Sequence, residues 1–214
     1  MNTQPIEAVI FDCDGTLVDS ESLSISVLVD FVAEFGLEIP YDIALREFSG
    51  NDLAAVLSSI EHRLNRALPK DFRERFRDRQ ISVLKEQLLA INGAEDLLST
   101  MTLPACVASN APLHKINVCL QTTGLHRYFA ESCVFSAYQI QTWKPAPDLF
   151  LLAAEALGVA PERCAVVEDS SFGIDAGLAA GMQVFAFDPH GVYEKNHGIT
   201  AIRCLSELKQ TFCD

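Results

Sequence analysis

The chain has no apolar run of the roughly 18 residues that a membrane-spanning helix requires. Its opening, MNTQPIEAVIFD, lacks both the basic segment and the long apolar stretch of a secretory leader, so a cytoplasmic location is expected by elimination. Basic residues are scarce: 16 Lys and Arg stand against 29 Asp and Glu, a formal net charge of -13. Such a surface repels nucleic acid and anionic lipid at long range, and neither is expected as a partner. It does not exclude a small anionic ligand, because a bound cation and a few basic side chains reverse the sign inside a cleft. The cysteines, Cys13, Cys106, Cys119, Cys133, Cys164, Cys204 and Cys213, are odd in number and form no C-x-x-C pair. They support neither a disulfide framework nor structural zinc, and reduced, mostly buried thiols are expected. His62, His114, His126, His190 and His197 fall in no ligand-like spacing with an acid or a cysteine, and none is assigned a role. Internal repeats and low-complexity segments are also missing.

What remains is an ordinary globular composition, 214 residues with 49% apolar and 21% charged side chains. It suffices for one domain plus an insertion. Five short apolar runs, Ala8–Phe11, Ala105–Ala108, Cys133–Phe135, Cys164–Val167 and Met182–Phe187, lack polar alternation and suit strands covered on both faces. Helical segments are expected between the later runs, at Pro112–Thr123, Pro147–Leu157 and Ser171–Ala180, the last two stopping before Gly158 and Gly181. Strand–helix alternation predicts a parallel sheet with helices on both sides. From Ser20 to about Gly93 no strand is expected. Helices are expected there at Leu23–Phe35, Ile43–Phe48, Leu53–Leu64 and Phe72–Ala90, a helical insertion after the first strand. The mixed charges between Arg63 and Arg79 read as a solvated helix face.

Polar residues concentrate where the strands end, the edge at which open parallel sheets bind ligands. Asp12-Cys13-Asp14-Gly15-Thr16 sets two carboxylates two residues apart beyond a buried strand, which calls for a cation or a shared proton; a solvated Asx turn is the plainer alternative. Ser109-Asn110 precedes a helix start and is either an anion site or a simple cap. Lys144-Pro145 offers a compact positive charge on a stiff segment, or merely a solvated lysine. Glu168-Asp169-Ser170 suits an oxygen-liganded magnesium ion, or again a cap.

Taken together and in this order, DCDGT, a helical insertion, SN, KP and ED, the motifs resemble the haloacid dehalogenase-like superfamily over almost the whole chain. The resemblance is strongest at FDCDGTLVDSE and VVEDSSFGIDAG, and closest to the branch with β-phosphoglucomutase and small sugar-phosphate phosphatases. It implies an α/β fold, a Rossmann-like parallel sheet flanked by helices, with residues 1–19 and 91–214 as the core and 20–90 as an inserted α-helical cap domain. It also implies roles. Asp12 would be the nucleophile forming an aspartyl-phosphate. Asp14 would act as general acid and then base. Ser109 and Lys144 would hold the phosphoryl oxygens, with Asn110 and Thr16 alongside. Mg²⁺ would be bound by the Asp12 carboxylate, the Asp14 carbonyl and Asp169, with Glu168 acting directly or through water. The expected partner is a small phosphorylated metabolite, and many relatives are monomers, so a monomer is expected.

In this family the cap supplies substrate contacts. The corresponding loop here is Phe48-Ser49-Gly50-Asn51-Asp52, with Gly50 and Asn51 as candidate substrate-binding residues and Arg46 as the nearest cation. So neutral a loop weakens a mutase reading, since a mutase must hold a bisphosphate. The segment YQIQTWKPAPDLF is similar to the subgroup containing 6-phosphogluconate phosphatase, although the neutral loop counts against that substrate. Trp143, the lone tryptophan, is expected to pack beside the Lys144 loop. A dehalogenase would need neither Asp14 nor Glu168-Asp169. Phosphonate cleavage would need a cap lysine, and Lys70 and Lys85 stand in no recognisable context. A non-catalytic phosphate- or magnesium-binding module is the alternative of another class.

Overall fold

The computed structural model describes residues 4–51, 53–193 and 198–213. The chain divides into two compact units, residues 1–19 with 89–214, and residues 20–88.

The first unit is built on six parallel strands, β1 (Ala8–Phe11), β2 (Ala105–Ser109), β3 (Val134–Ser136), β4 (Cys164–Glu168), β5 (Gln183–Phe187) and β6 (Ile199–Ile202). Among the described residues the helices are α1 (Ser20–Ala33), α2 (Tyr41–Phe48), α3 (Leu53–Leu64), α4 (Phe72–Gln87), α5 (Ala94–Thr100), α6 (Leu113–Thr122), α7 (Ala137–Ile140), α8 (Asp148–Leu157), α9 (Ser171–Ala179) and α10 (Lys209–Phe212). The strand order is β3-β2-β1-β4-β5-β6. The chain starts at the middle of the sheet, works outward through β2 and β3, then returns to the other side of β1. The reversal between β1 and β4 is where such sheets open a crevice.

The apolar runs explain the layering. Ala8, Ile10, Cys106, Ala108, Cys164 and Val166 join Leu149, Phe150, Ala153 and Ala154 of α8 and Ile174 and Ala176 of α9 in one buried cluster. Val9, Phe11, Val107 and Val167 are buried as well and, with side chains alternating along a strand, face the other side. There Phe11 meets Phe129 edge-on, 6.3 Å between ring centres. A strand buried on both faces cannot show polar alternation, which is why the runs were legible.

The sixth strand was not expected. β6 has two exposed positions, Thr200 and Ala201, and lies at the sheet edge, so it carries too few apolar residues to form a run. α4 stops at Gln87, short of the expected Ala90. Leu88 turns extended, and beyond it Leu89 accepts a backbone hydrogen bond from Asp19 (3.0 Å) while Ile91 donates one to Leu17 (2.9 Å). Ladder pairing to residues 17–19 competes with the helix for these peptide groups.

The unit spanning 20–88 is helical, α1 to α4. On α4, Phe72, Phe76, Gln80 and Leu84 are buried at four-residue intervals, while Arg73, Glu74, Arg75, Asp78 and Arg79 are exposed. This is the amphipathic pattern behind the solvated charged face. Phe72 stacks on Phe31 at 4.6 Å, and the Arg79 guanidinium lies 4.4 Å from the Phe31 ring centre. Among the described residues no helix is long and apolar enough to cross a membrane.

Candidate active site

Because β2, β1 and β4 are adjacent, their carboxyl ends bring Ser109-Asn110, Asp12 and Glu168-Asp169 side by side. The centre of the arrangement is Lys144, which is buried at 5% exposure. Its Nζ donates to Asp12 Oδ1 at 2.5 Å, to Glu168 Oε1 at 2.7 Å and to the Ala108 carbonyl at 2.8 Å. An ammonium has three protons, and all three find acceptors. Phe150 packs beneath it, 4.6 Å from Nζ to the ring centre. Burial pulls the Lys144 ammonium down, but Asp12 and Glu168 outweigh it and hold the group above its ordinary value.

Each neighbour has a defined task. Asn110 Oδ1 accepts from the Lys144 backbone N–H (2.9 Å), and its amide donates to the Lys144 carbonyl (3.3 Å); Asn110 therefore fixes the lysine segment. Ser109, also buried, accepts from the Ala111 N–H at 3.1 Å. Glu168 Oε2 accepts from the N–H and hydroxyl of Ser170, at 2.8 and 2.9 Å, and Ser170 in turn caps α9. Both Glu168 oxygens are thus engaged. Thr16 donates to Asp169 Oδ1 at 2.9 Å. Gly15 has φ +82°, and a side chain there would collide with the Asp169 carboxylate. The close approach of Asp169 to the Asp12–Gly15 turn is what a glycine makes possible.

Asp14 is held by a residue the sequence reading overlooked. Lys115 Nζ lies 2.8 Å from Asp14 Oδ1. Its position was itself a signal: Lys115 is in the first turn of α6, where the helix dipole disfavours a cation. Burial would lower the Lys115 ammonium, but Asp14 outweighs it and holds it charged. The Asp12 carboxyl is raised to about 7: burial pushes it up, Lys144 pulls it down, and Glu168 and Asp14 push it up again.

Gly50 and Asn51 belong to the helical unit, where Gly50 donates its N–H to Glu21 (2.7 Å) and the Asn51 amide donates to the Glu47 carbonyl (2.8 Å). Arg46 is exposed and faces Asp42. Asp52 and His197 lie outside the described residues. Trp143 is half exposed and meets Tyr138 edge-on at 5.6 Å. The cysteines are free, and Cys13, Cys106, Cys119 and Cys164 are buried.

Among the described residues no group of three or more His, Cys, Asp or Glu side chains is clustered to hold a metal ion. Two carboxylates with a backbone carbonyl would be a smaller set, and its chemistry suits Mg²⁺. The donors around the Asp12–Gly15 turn are all oxygens. Four carboxylates, Asp12, Asp14, Glu168 and Asp169, stand against two ammonium groups, Lys115 and Lys144. Such a site has negative charge to spare for a divalent cation.

A parallel sheet flanked by helices, with acids gathered around a buried lysine at its carboxyl edge, is a Rossmann-like α/β fold carrying a polar site where such sheets bind ligands. Residues 6–181 match the model of the haloacid dehalogenase-like hydrolases, and the chain belongs to that family. It is 38% identical to the 6-phosphogluconate phosphatase of Escherichia coli K12 over 209 residues, covering 96% of this chain and 94% of that protein. Among solved structures, a haloacid dehalogenase-like protein of unknown function from Agrobacterium tumefaciens superposes with a TM-score of 0.84 at 32% identity, covering 96% of each chain. A family hydrolase from Deinococcus radiodurans, solved with bound phosphate and sodium, superposes at 0.78 with 30% identity, covering 96% of this chain and 94% of that one. The chain is an enzyme, and its relatives are consistent with phosphoric monoester hydrolysis.

Proposed function

We propose that the chain is a magnesium-dependent phosphatase that hydrolyses a small sugar phosphate through a covalent phosphate on Asp12. The observation that carries this is the buried Lys144 ammonium, bonded at once to Asp12, Glu168 and the Ala108 carbonyl. A carboxylate is a weak nucleophile toward an anionic ester, and a fixed cation in contact with it offsets that repulsion.

Asp12 attacks phosphorus as the bond to the leaving oxygen breaks, and Asp14 delivers its proton to that oxygen. Water then attacks phosphorus, Asp14 takes back a proton, and the bond from Asp12 to phosphorus breaks. The ester and one water become an alcohol and inorganic phosphate, with both aspartates restored. Ser109 and Lys144 face the phosphoryl oxygens, and Asn110 serves by holding the Lys144 backbone. The Asp12 carboxylate, the Asp14 carbonyl and Asp169 would hold Mg²⁺, with Thr16 steadying Asp169. The ion supplies positive charge against the substrate dianion. Glu168, with both oxygens engaged, acts behind these groups by holding Lys144. Residues 1–19 and 91–214 are read as the catalytic core and 20–90 as the cap, from which Gly50 and Asn51 contact substrate. Neither nucleic acid nor membrane enters this reading, and a monomer suffices for it.

The likeness to 6-phosphogluconate phosphatase over nearly the full length of both chains makes 6-phosphogluconate the first substrate to try. Phosphate release from 6-phosphogluconate, fructose 1-phosphate and ribose 5-phosphate is expected with Mg²⁺ and not with a chelator. Asp12→Asn is expected to abolish it while leaving the circular dichroism spectrum unchanged. Full turnover by Asp12→Asn would discard the nucleophile, and isomer interconversion outrunning release would replace the phosphatase with a mutase.

A further inference from the structure

Asp14 is asked to exchange protons with two partners in succession, yet it sits on a turn and needs something to fix its carboxyl. Helix α6 supplies that support. Lys115 reaches Asp14 Oδ1 at 2.8 Å, with both side chains largely shielded, 17% and 27% exposed. One turn further along the same helix Cys119 is buried, as is Cys13 of the turn. Residues four apart share one helix face, so the α6 face that buries Cys119 is the one from which Lys115 reaches the Asp12–Gly15 turn. A lysine in a first helical turn is unfavourable on its own, and the carboxylate it meets accounts for its being there.

We propose that Lys115 is a positioning residue for proton transfer: by holding Asp14 through Oδ1, it keeps that carboxyl aimed at the leaving oxygen and then at the attacking water. This rests on the role given to Asp14 above. Lys115 acts through Asp14 and does not itself bind the phosphoryl group, which is the task of Lys144. A displaced Asp14 forfeits part of a general acid's contribution, which is typically about 10²–10⁴-fold.

The leaving group provides the test. An alkyl ester needs a proton on its departing oxygen, whereas p-nitrophenyl phosphate releases a stable phenolate without one. The quantity kcat/KM reports steps up to departure of the leaving group. Lys115→Met and Lys115→Gln are therefore expected to lower kcat/KM about ten- to hundred-fold on whichever of 6-phosphogluconate and fructose 1-phosphate the wild type cleaves faster, and by less than about three-fold on p-nitrophenyl phosphate. Lys115→Arg, which can still reach the carboxylate, is expected to recover much of the loss. Asp14→Asn is the control and should show the same leaving-group selectivity, only larger. Equal losses on both esters, or none on either, with Asp14→Asn selective, would overturn the role of Lys115 and leave that of Asp14 standing. An unselective Asp14→Asn would overturn both.

Discussion

Replacing Lys144 by Met removes the one cation lying between two buried carboxylates while keeping most of the side-chain volume. Three hydrogen bonds disappear, to Asp12, Glu168 and Ala108. The contact with the Phe150 ring survives in kind, because a thioether also packs well on an aromatic. What dominates is the electrostatic debt: the Asp12 and Glu168 side chains are only 9% and 1% exposed, so neither finds compensating water. Removing one partner of a buried ion pair costs about 3–5 kcal/mol. For a chain of this length, each kcal/mol lowers Tm by about 2–4 °C, so a fall of roughly 6–20 °C is expected. Trp143, adjacent in sequence and half exposed, reports unfolding of this unit by fluorescence in urea. If the loss is electrostatic, adding Glu168→Gln must recover about 1–3 kcal/mol of it, because the second buried charge is then gone. A Lys144→Met protein within about 1 kcal/mol of wild type, or a double variant less stable than the single one, would refute this account of the site.

Two further perturbations bear on the same edge of the sheet. Gly15→Ala forces a side chain into a backbone with φ +82° and against the Asp169 carboxylate; it should cost about 1–3 kcal/mol in urea unfolding and weaken Mg²⁺ activation of phosphate release. Asp188 accepts backbone hydrogen bonds from Val192 (2.8 Å) and Tyr193 (2.6 Å). Burial raises its carboxyl, but the N–H groups of Tyr193, Val192 and Gly191 and the charge of Arg203 outweigh this and hold it below the ordinary value of 3.8. A lowered folded value means that the folded state binds fewer protons. The stabilisation is therefore present above pH 3.8 and lost as pH falls through the folded value. Asp188→Asn should be about 1–2 kcal/mol less stable at pH 7, with the deficit narrowing below that range in acid-unfolding curves.

The sheet was legible because its central strands are buried on both faces, which leaves unbroken runs such as Ala8–Phe11 and Cys164–Val167. β6 was not, because an edge strand with Thr200 and Ala201 exposed has no such run to read. The acids at the strand ends were legible as a set, since four polar clusters each followed an apolar run or a stiff Lys-Pro step. Their division of labour was not. Asn110 and Thr16 read as substrate ligands in sequence, and the spacing gave no sign that the first also brackets the Lys144 backbone or that the second also holds Asp169. Spacing along a chain shows which groups can reach an edge, but the hydrogen-bond partners depend on residues more than a hundred positions away, as for Thr16 and Asp169.

Lys115 shows how such a partner can still leave a trace. A cation at the start of α6 runs against the dipole of its own helix, and local rules alone disfavour it there. Violations of this kind point outward, to a charge supplied by another segment, and here that charge is Asp14 at 2.8 Å. The same logic covers the whole edge. Four acids would repel one another if left alone, and two lysines, one from helix α6 and one from the loop before α8, offset only half of that charge. The uncompensated half is what a divalent cation would neutralise, so the acidic excess that repels nucleic acid and lipid at long range also prepares the site for a metal and, through it, for a phosphate. Isothermal titration should accordingly find Mg²⁺ binding weakened by Asp169→Asn and, because Lys144 then no longer competes for Asp12, strengthened by Lys144→Met; equal affinity in all three proteins would break the link between the charge balance and the metal.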